Sequence, residues 1–483
     1  MKTTTRLVKF AGRSLWTGAV IAMFGASSLR ADPRVDSWFT TYSGKYARLY
    51  ATDADKTSGN AVATWSRNSL SQSSPAYSGV QAIYSSASWV YLRTSGLGAH
   101  VMGPWYLSAA HTQLFPNLPV NKKLLYRIPR TPTVPVTKTL TGLGAIGYFV
   151  DGVAMFDSRD AFYWNGSAEV NGSGNWNRDA FVNEGPTFDP GNAHQENSGT
   201  YHYHANPIAL RYLVGDNILF NAATKTYSEN TTNLNLKHSP IIGWVRDGFP
   251  VYGPYGYSSA MDSNSVVRRM ISGFALRNGS NGTDNLASTG RTSLPAWAIR
   301  LYGAMTTTGP AVSTSYPLGR YLEDNVYLGD LGKTQGVDFD LNEYNVRYCV
   351  TPEFPNGTYA YFVSVSASGT PAFPYNIGRS FYGSPTGNTV ASLTETVTTN
   401  FVGGASSPLN AAAPSLNAGT VTLVWSSVEG GTYQVDSTSD FSNWNPRATN
   451  IASQGVKTQF STNCAGSLEI FRVSRTALAT YDP

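Results

Sequence analysis

The chain has 483 residues, of which only 13% are charged, while tyrosine alone contributes 29 residues. Its formal net charge of +5 comes from 35 basic and 30 acidic residues, and five of the basic residues lie in the first 31 positions. The rest of the chain is balanced in charge, which argues against a nucleic-acid partner because such proteins present a basic face. A composition rich in Gly, Ser, Asn and Tyr predicts short strands joined by turns, as in an exported, mainly β protein.

The N-terminus has the features of a secretory leader. A basic start from Lys2 to Arg13 precedes an apolar run over residues 15–26, and small residues lead to a cleavage position after Ala31. This pattern predicts a signal peptide over residues 1–31, with an uncleaved membrane anchor as the alternative. No later apolar run approaches the ~18 residues of a membrane span, so we expect a secreted, periplasmic or cell-surface protein without a transmembrane segment in its mature chain.

Two hairpins are predicted in the first half of the mature chain, each with Asp-Gly at its turn. They are Ala145–Val150 with Val153–Phe156, and Ile241–Arg246 with Phe249–Tyr252. The closely spaced glycines before Asp151 are not followed by Gly-Lys-Ser/Thr, which excludes a phosphate-binding loop of that type. Farther along, Ser265–Leu276 is compatible with a short helix.

The most informative stretch is Tyr201-His-Tyr-His204. In an extended strand, successive side chains point to opposite faces, so His202 and His204 share one face and the two tyrosines share the other. Two imidazoles about 6.6 Å apart at their α-carbons can lean onto one metal ion. The alternative is an amphipathic strand whose tyrosines pack inward and whose histidines face water.

Two further histidines are candidates to complete such a site. His194 lies in a turn-rich loop eight residues before His202, and His238 lies at the entrance of the strand Ile241–Arg246. Neutral imidazoles without thiolates suit zinc or copper. The predicted metal ligands are therefore His202, His204, His238 and His194. Asp189 and Glu196 are candidates for carboxylates that orient an imidazole from outside.

The C-terminal part changes in composition. Residues 386–418 are rich in Ser, Thr, Ala, Asn and Pro, as expected of a linker. Residues 419–483 contain several short strand patterns and no histidine, which predicts a small β-sandwich. Cys349 and Cys464 fall in different predicted units, so two separate thiols and one bridge both stay open.

The ordered motifs resemble the YHYH domain, a family named for the tetrapeptide Tyr201–His204. The resemblance rests on Met102-Gly-Pro-Trp105, Tyr201–His204 with Pro207, His238-Ser-Pro-Ile-Ile-Gly243, Asp247-Gly-Phe-Pro-Val-Tyr-Gly253, Asp340-Leu-Asn-Glu-Tyr-Asn345, residues 351–361 and Phe373-Pro-Tyr-Asn-Ile-Gly378. It covers roughly residues 75–383 and implies one large, irregular β domain with long loops over residues 32–385. The family is secreted or surface-associated and has no established chemistry. Its members usually carry a local cysteine pair, which this chain lacks around Asp189-Pro-Gly191 and Ile208-Ala-Leu210.

Three functions remain open from the sequence. The first is a metal-binding protein of unknown activity. The second is a metal-dependent hydrolase or lyase, in which three histidines leave a position for a bound water. The third is a surface adhesion or glycan-binding protein, with Tyr252, Tyr255 and Tyr257 as an exposed aromatic platform. The alternative, favoured for most of these three residues, is that they are ordinary core tyrosines. Whether the protein is an enzyme, and on what substrate, the sequence does not decide.

Overall fold

The strand that carries the Tyr-His-Tyr-His tetrapeptide lies inside a mixed eight-stranded sheet. The computed structural model describes residues 7–8, 32–464 and 469–477. In order across the sheet, the strands are Ala193–Gln195, Tyr201–Tyr203, Ala154–Met155, Gly147–Phe149, Ile241–Val245, Pro250–Tyr252, Thr358–Phe362 and Val346–Cys349. The first six of these strands are buried along their whole length, as expected when both faces of a sheet are covered.

Both predicted hairpins are present in this sheet. Gly147–Phe149 pairs antiparallel with Ala154–Met155, and Ile241–Val245 pairs antiparallel with Pro250–Tyr252. At each turn, the aspartate accepts a hydrogen bond from the backbone N–H two residues later, while the following glycine has a positive φ. Asp-Gly supplies both requirements, which explains why the pattern predicted these turns. Asp247 is therefore a turn residue.

A second, five-stranded antiparallel sheet packs with the first around one large hydrophobic core. Its strands, in order, are Asn388–Thr389, Leu124–Pro129, Trp89–Thr94, Val80–Ser85 and Thr398–Val402. The two outer strands come from residues 386–418, for which the sequence predicts a linker. They pair with Leu124–Pro129 and Val80–Ser85, so this part of the stretch belongs to a sheet edge.

Smaller elements surround these two sheets. A three-stranded sheet contains Glu169–Asn171, Arg159–Trp164 and Trp176–Asp179. The two-stranded pairs are Arg48–Leu49 with Val101–Met102, Trp65–Arg67 with Leu70–Gln72, Ile218–Asn221 with Thr226–Glu229, Tyr255–Tyr257 with Val267–Arg269, and Phe274–Leu276 with Asn325–Tyr327. The helix predicted over Ser265–Leu276 is wrong: this segment supplies two edge strands, because each finds a backbone partner elsewhere in the chain.

The helices are all short. The α-helices are Pro33–Asp36, Asp53–Ser58, Ala180–Glu184, Ile208–Leu213, Leu286–Thr289 and Ala296–Tyr302, and the 3-10 helices are Gly185–Thr187, Leu322–Asp324, Leu328–Leu331 and Gly404–Ser406. Within the described part of the chain, no helix has the length and apolar character needed to cross a membrane. The predicted leader lies almost wholly outside the described residues.

The C-terminal strands form two small sheets around a core of their own. One sheet contains Ser415–Asn417, Thr420–Ser426 and Lys457–Asn463, and the other contains Leu7–Val8, Ile470–Ala477, Thr432–Thr438 and Asn445–Ala452. Trp425 and Tyr433 lie at the centre of this core. The predicted fold class, a mainly β chain with a C-terminal β module, is confirmed. Cys349 and Cys464 lie in separate cores, the first in the main one.

Candidate metal centre

Three histidines meet on one face of the eight-stranded sheet. The strand Ala193–Gln195 pairs antiparallel with Tyr201–Tyr203, and its register sets His194 directly opposite His202. His204 follows two residues later and points to the same face as His202. All three side chains are buried, with residue exposures of 6%, 2% and 5% in chain order. Their donor nitrogens lie within 4.8 Å of one another.

The tyrosines of the tetrapeptide occupy the other face, as the strand pattern predicts. Tyr201 and Tyr203 are fully buried in the main core. The Tyr201 hydroxyl donates to a carboxylate oxygen of Asp189 at 2.7 Å and lies 3.1 Å from Nε2 of His100. Aromatic packing on one face thus fixes the strand, and the imidazoles on the opposite face are held in place by it.

Backbone carbonyls fix the tautomers of His202 and His204. Nδ1 of His202 lies 2.9 Å from the carbonyl oxygen of Thr200, and Nδ1 of His204 lies 2.6 Å from that of Asp157. A carbonyl oxygen can only accept, so each Nδ1 must carry the proton and donate it. In the neutral rings, both Nε2 atoms are then unprotonated, and each carries a free lone pair. These two atoms lie only 3.0 Å apart.

A hydroxyl group gives His194 the same tautomer. Nδ1 of His194 lies 2.8 Å from Oγ1 of Thr187, and that hydroxyl donates its own proton to the carbonyl of Glu184 at 2.7 Å. Since the hydroxyl proton is already committed, Oγ1 accepts the proton of Nδ1. Three Nε2 lone pairs therefore converge on one buried point.

A carboxylate completes the group. Glu184 is the last residue of the helix Ala180–Glu184, which starts where the side chain of Asp179 accepts from the backbone of Val182 and ends before Gly185-Pro186. Oε2 of Glu184 lies 3.1 Å from Nε2 of His204 and 3.4 Å from Nε2 of His194. This oxygen is buried and has no hydrogen bond of good geometry among the described residues.

Charge and burial act against each other in this group. The pKa of His202 lies well below its usual value because of burial and the nearby His194 and His204. Burial also lowers the pKa of His194, although Glu184 opposes the shift. For His204, burial would lower the pKa, but the carboxylate of Glu184 outweighs it and raises the pKa. Burial would raise the pKa of Glu184, yet His204 and His194 hold it well below its usual range. A positive charge is thus stabilised between Glu184 and His204.

Phenylalanines surround the histidines and leave the Glu184 side more open. Phe156 stacks on the ring of His202 at 3.9 Å between centroids, and Phe188 contacts His194 edge-on at 4.8 Å. The Glu184 side chain is 27% exposed, against 8% for His194 and 5% for His204. The Glu184 side of the group is therefore the least buried one, although its Oε2 is itself buried.

The structure does not bring His238 to this group. His238 precedes the strand Ile241–Val245, which lies three strands away from Tyr201–Tyr203, or roughly 14 Å at the usual strand spacing. Nδ1 of His238 lies 2.8 Å from the carbonyl of Ser239, and its ring packs against Tyr252 and Tyr257. The sequence correctly places His238 just before a strand. It does not show where that strand lies in the sheet, and this position decides which side chains His238 can contact.

The other predicted partners have different roles. Asp189 binds the Tyr201 hydroxyl and the backbone N–H of Gly103, on the face away from the three histidines. Glu196 accepts from Ser198 and Thr200 in a loop. The groups that orient the imidazoles are instead Thr187 and two backbone carbonyls. Sequence reasoning missed Glu184, which lies ten residues before His194. The signals that could have found it are the helix start at Asp179 and the helix stop at Gly185-Pro186.

Two of the three tyrosines considered for an exposed platform are buried. Tyr252 is fully buried, and Tyr255 is 6% exposed. The Tyr252 hydroxyl bonds to Thr351 and Glu353, and the Tyr255 hydroxyl donates to Glu229. The rings of Tyr252 and Tyr255 are core residues with bonded hydroxyl groups, as the core alternative predicts, and Tyr257 is half-buried, so the three do not form an exposed cluster.

Comparison with known proteins places the chain in a family. The family described as YHYH protein matches residues 125–374, a little over half of the chain, and this range includes Glu184 and the three converging histidines. No curated protein and no solved structure matches the chain. With its tetrapeptide strand, its two Asp-Gly hairpins and this match, the chain belongs to the YHYH family.

Proposed function

We propose that this protein binds one transition metal ion, zinc or copper, through Nε2 of His194, His202 and His204, with Glu184 as the fourth ligand. The observation that carries the proposal is the set of three fixed tautomers. Each Nδ1 is committed to an oxygen, so in the neutral rings three lone pairs face one another without a proton between them. A cation at their centre removes that repulsion, and a second set of hydrogen bonds orients each ligand.

The donor separations fit a small tetrahedral ion. Metal–nitrogen and metal–oxygen bonds of about 2.0–2.1 Å place two tetrahedral ligands roughly 3.3 Å apart. Three of the six ligand pairs are close to this value, at 3.0 Å between His202 and His204, 3.1 Å between His204 and Glu184, and 3.4 Å between His194 and Glu184, and all three histidine nitrogens lie within 4.8 Å of one another. Zinc accepts this geometry readily, whereas copper(II) prefers a tetragonal arrangement. We therefore rank zinc first.

X-ray absorption spectroscopy of the metal-loaded protein tests the ligand set directly. We expect a first shell of nitrogen and oxygen near 2.0–2.1 Å, with outer-shell scattering from three imidazole rings. The zinc-loaded and copper-loaded forms are compared, and a chelator competition then ranks their affinities. Sulfur in the first shell, or scattering from fewer than two imidazoles, contradicts the proposal.

A second candidate function adds catalysis at the same centre. Its support is the greater exposure of Glu184, which would let a water reach the metal from that side. Three histidine ligands then leave the fourth position to a metal-bound water, and Glu184 would accept its proton. The zinc-loaded protein is assayed for ester hydrolysis and carbon dioxide hydration. Catalysis requires that Glu184→Gln abolish the rate; a wild-type rate no higher than that of His202→Ala/His204→Ala contradicts it.

We also infer export and a division into units. The leader over residues 1–31 supports a secreted, periplasmic or cell-surface location. Residues 32–385 form the main domain, residues 386–418 connect it to the C-terminal module over residues 419–483, and the strands Asn388–Thr389 and Thr398–Val402 of this connection pair with the main domain. N-terminal sequencing of the protein recovered outside the cytoplasm tests export and leader cleavage. The expected first residue is Asp32, whereas an intact leader contradicts cleavage.

A further inference from the structure

A polar cleft of about 550 Å³ opens beside the three-stranded sheet. Arg159, Arg379, Tyr302, Asn175 and Thr306 contribute to its walls. Neither the three histidines nor Glu184 lines this cleft, so the proposed metal centre does not account for it. Two arginines in one cleft raise the question of what balances their charge.

Arg379 has its counterion within the protein. Nη1 of Arg379 donates to a carboxylate oxygen of Asp157 at 2.5 Å and to Oγ1 of Thr141 at 2.6 Å, while Nε donates to the hydroxyl of Tyr302 at 3.2 Å. Asp157 and Arg379 are both buried. This pair is neutral as a unit and forms one fixed wall of the cleft.

Arg159 has no such partner. It is 8% exposed, and its Nε is buried without a hydrogen bond in the part of the chain that the structure describes. No carboxylate among the described residues forms an ion pair with it, and Arg379 adds a second positive charge nearby. Its terminal guanidinium nitrogens also form no hydrogen bond with the described residues, yet unlike Nε they are not buried, and Arg159 lines the cleft.

The remaining carboxyl group near Arg159 does not balance it. Both oxygens of Glu323 accept hydrogen bonds from Asn177, one from its backbone and one from its side chain. Burial raises the pKa of Glu323 to about 7, so this group is partly protonated at neutral pH. The cleft therefore keeps an excess positive charge at Arg159.

From this geometry we propose that the cleft binds an oxyanion group, a carboxylate, sulfate or phosphate, against the guanidinium of Arg159. A buried charge without a partner is costly, and a planar fork of donors matches two oxygens of an oxyanion. A volume of about 550 Å³ exceeds a bare oxyanion, so the group is a substituent of a larger ligand. The polar walls suit a hydroxyl-bearing ligand such as an acidic sugar.

Thermal unfolding of the full mature chain, with metal content held constant, tests the proposal. The probes are inorganic sulfate, inorganic phosphate and glucuronate, with chloride at matched ionic strength and glucose as the controls. We expect at least one oxyanion to raise the unfolding temperature beyond chloride, in a saturable way. A larger shift with glucuronate than with the inorganic ions identifies the sugar acid as the better ligand. No shift with any oxyanion overturns the proposal.

Two variants assign the effect to Arg159. Arg159→Gln should weaken binding about tenfold or more in calorimetric titrations, because a charge-assisted contact is lost. Arg93→Gln removes the same charge from an exposed position on the strand Trp89–Thr94 and should bind like wild type. If Arg159→Gln does not fold, Arg159→Lys keeps the charge, loses the fork and should still bind more weakly. An Arg159 variant that folds and binds like wild type overturns the assignment.

Discussion

Nε2 of His202 and Nε2 of His204 lie 3.0 Å apart, although both rings already donate their Nδ1 protons to backbone carbonyls. Two neutral imidazoles in this state have no proton to place between these atoms. Protonation of His204 at Nε2 removes the repulsion between the two lone pairs, and Glu184 stabilises the resulting charge. A metal ion removes this repulsion as well and also engages His194.

Replacing Glu184 with Gln should weaken metal binding. The amide keeps the shape of the side chain but loses the negative charge that lies 3.1 Å from Nε2 of His204. We expect the affinity to fall at least tenfold, measured by competition with a chromophoric chelator. Glu196→Gln is the matched control, because the Glu196 carboxylate accepts only from Ser198 and Thr200 among the described residues, and this change should leave the affinity unchanged. Equal affinities for both variants argue against Glu184 as a ligand.

Thr187 should influence affinity without being a ligand. Its hydroxyl accepts from Nδ1 of His194, so Thr187→Val leaves the orientation of that ring unsupported. Loss of such an outer contact typically costs about 10–100-fold in metal affinity. Thr187→Ser keeps the hydroxyl and should restore most of the affinity. If the valine variant binds as tightly as wild type, His194 does not need this contact.

Metal affinity should fall as the solution becomes more acidic. The pKa of His204 is raised above its usual 6.5, because Glu184 outweighs the lowering effect of burial. Below this pKa a proton occupies Nε2 and must leave before the metal binds, so the apparent affinity should drop about tenfold per pH unit. Above it, the affinity should level off. In Glu184→Gln the fall should begin at a lower pH, whereas a pH-independent affinity contradicts imidazole ligation.

Tyr201→Phe should destabilise the fold and spare the metal. The Tyr201 hydroxyl is buried and donates to Asp189, so its loss removes one hydrogen bond from a buried carboxylate that keeps only backbone donors such as the N–H of Gly103. We expect the free energy of unfolding in urea to fall by about 1–3 kcal/mol. Tyr212→Phe removes an exposed hydroxyl and should change little. Loss of metal binding in Tyr201→Phe, in protein that is still folded, would show that the two faces of the strand are not independent.

The sequence predicted those parts of the fold that depend on neighbours along the chain. The Asp-Gly turns and the alternation of Tyr201–His204 are local, and the structure confirms them. The pairing of His194 with His202 also spans only a short loop. His238 could not be placed, because its position depends on the order of strands across the sheet. Glu184 was missed, because a five-residue helix has too little periodicity to show which side chain faces the histidines.

Elemental analysis of the purified mature protein shows whether His194, His202 and His204 bind one metal ion. Protein loaded with zinc or copper and then freed of excess metal should retain close to one ion per chain, and His202→Ala/His204→Ala should retain none. His111→Ala/His238→Ala removes two histidines outside the group and should bind like wild type. Wild-type protein that retains no metal, or a folded His202→Ala/His204→Ala variant that retains it, would show that these histidines do not form a metal site.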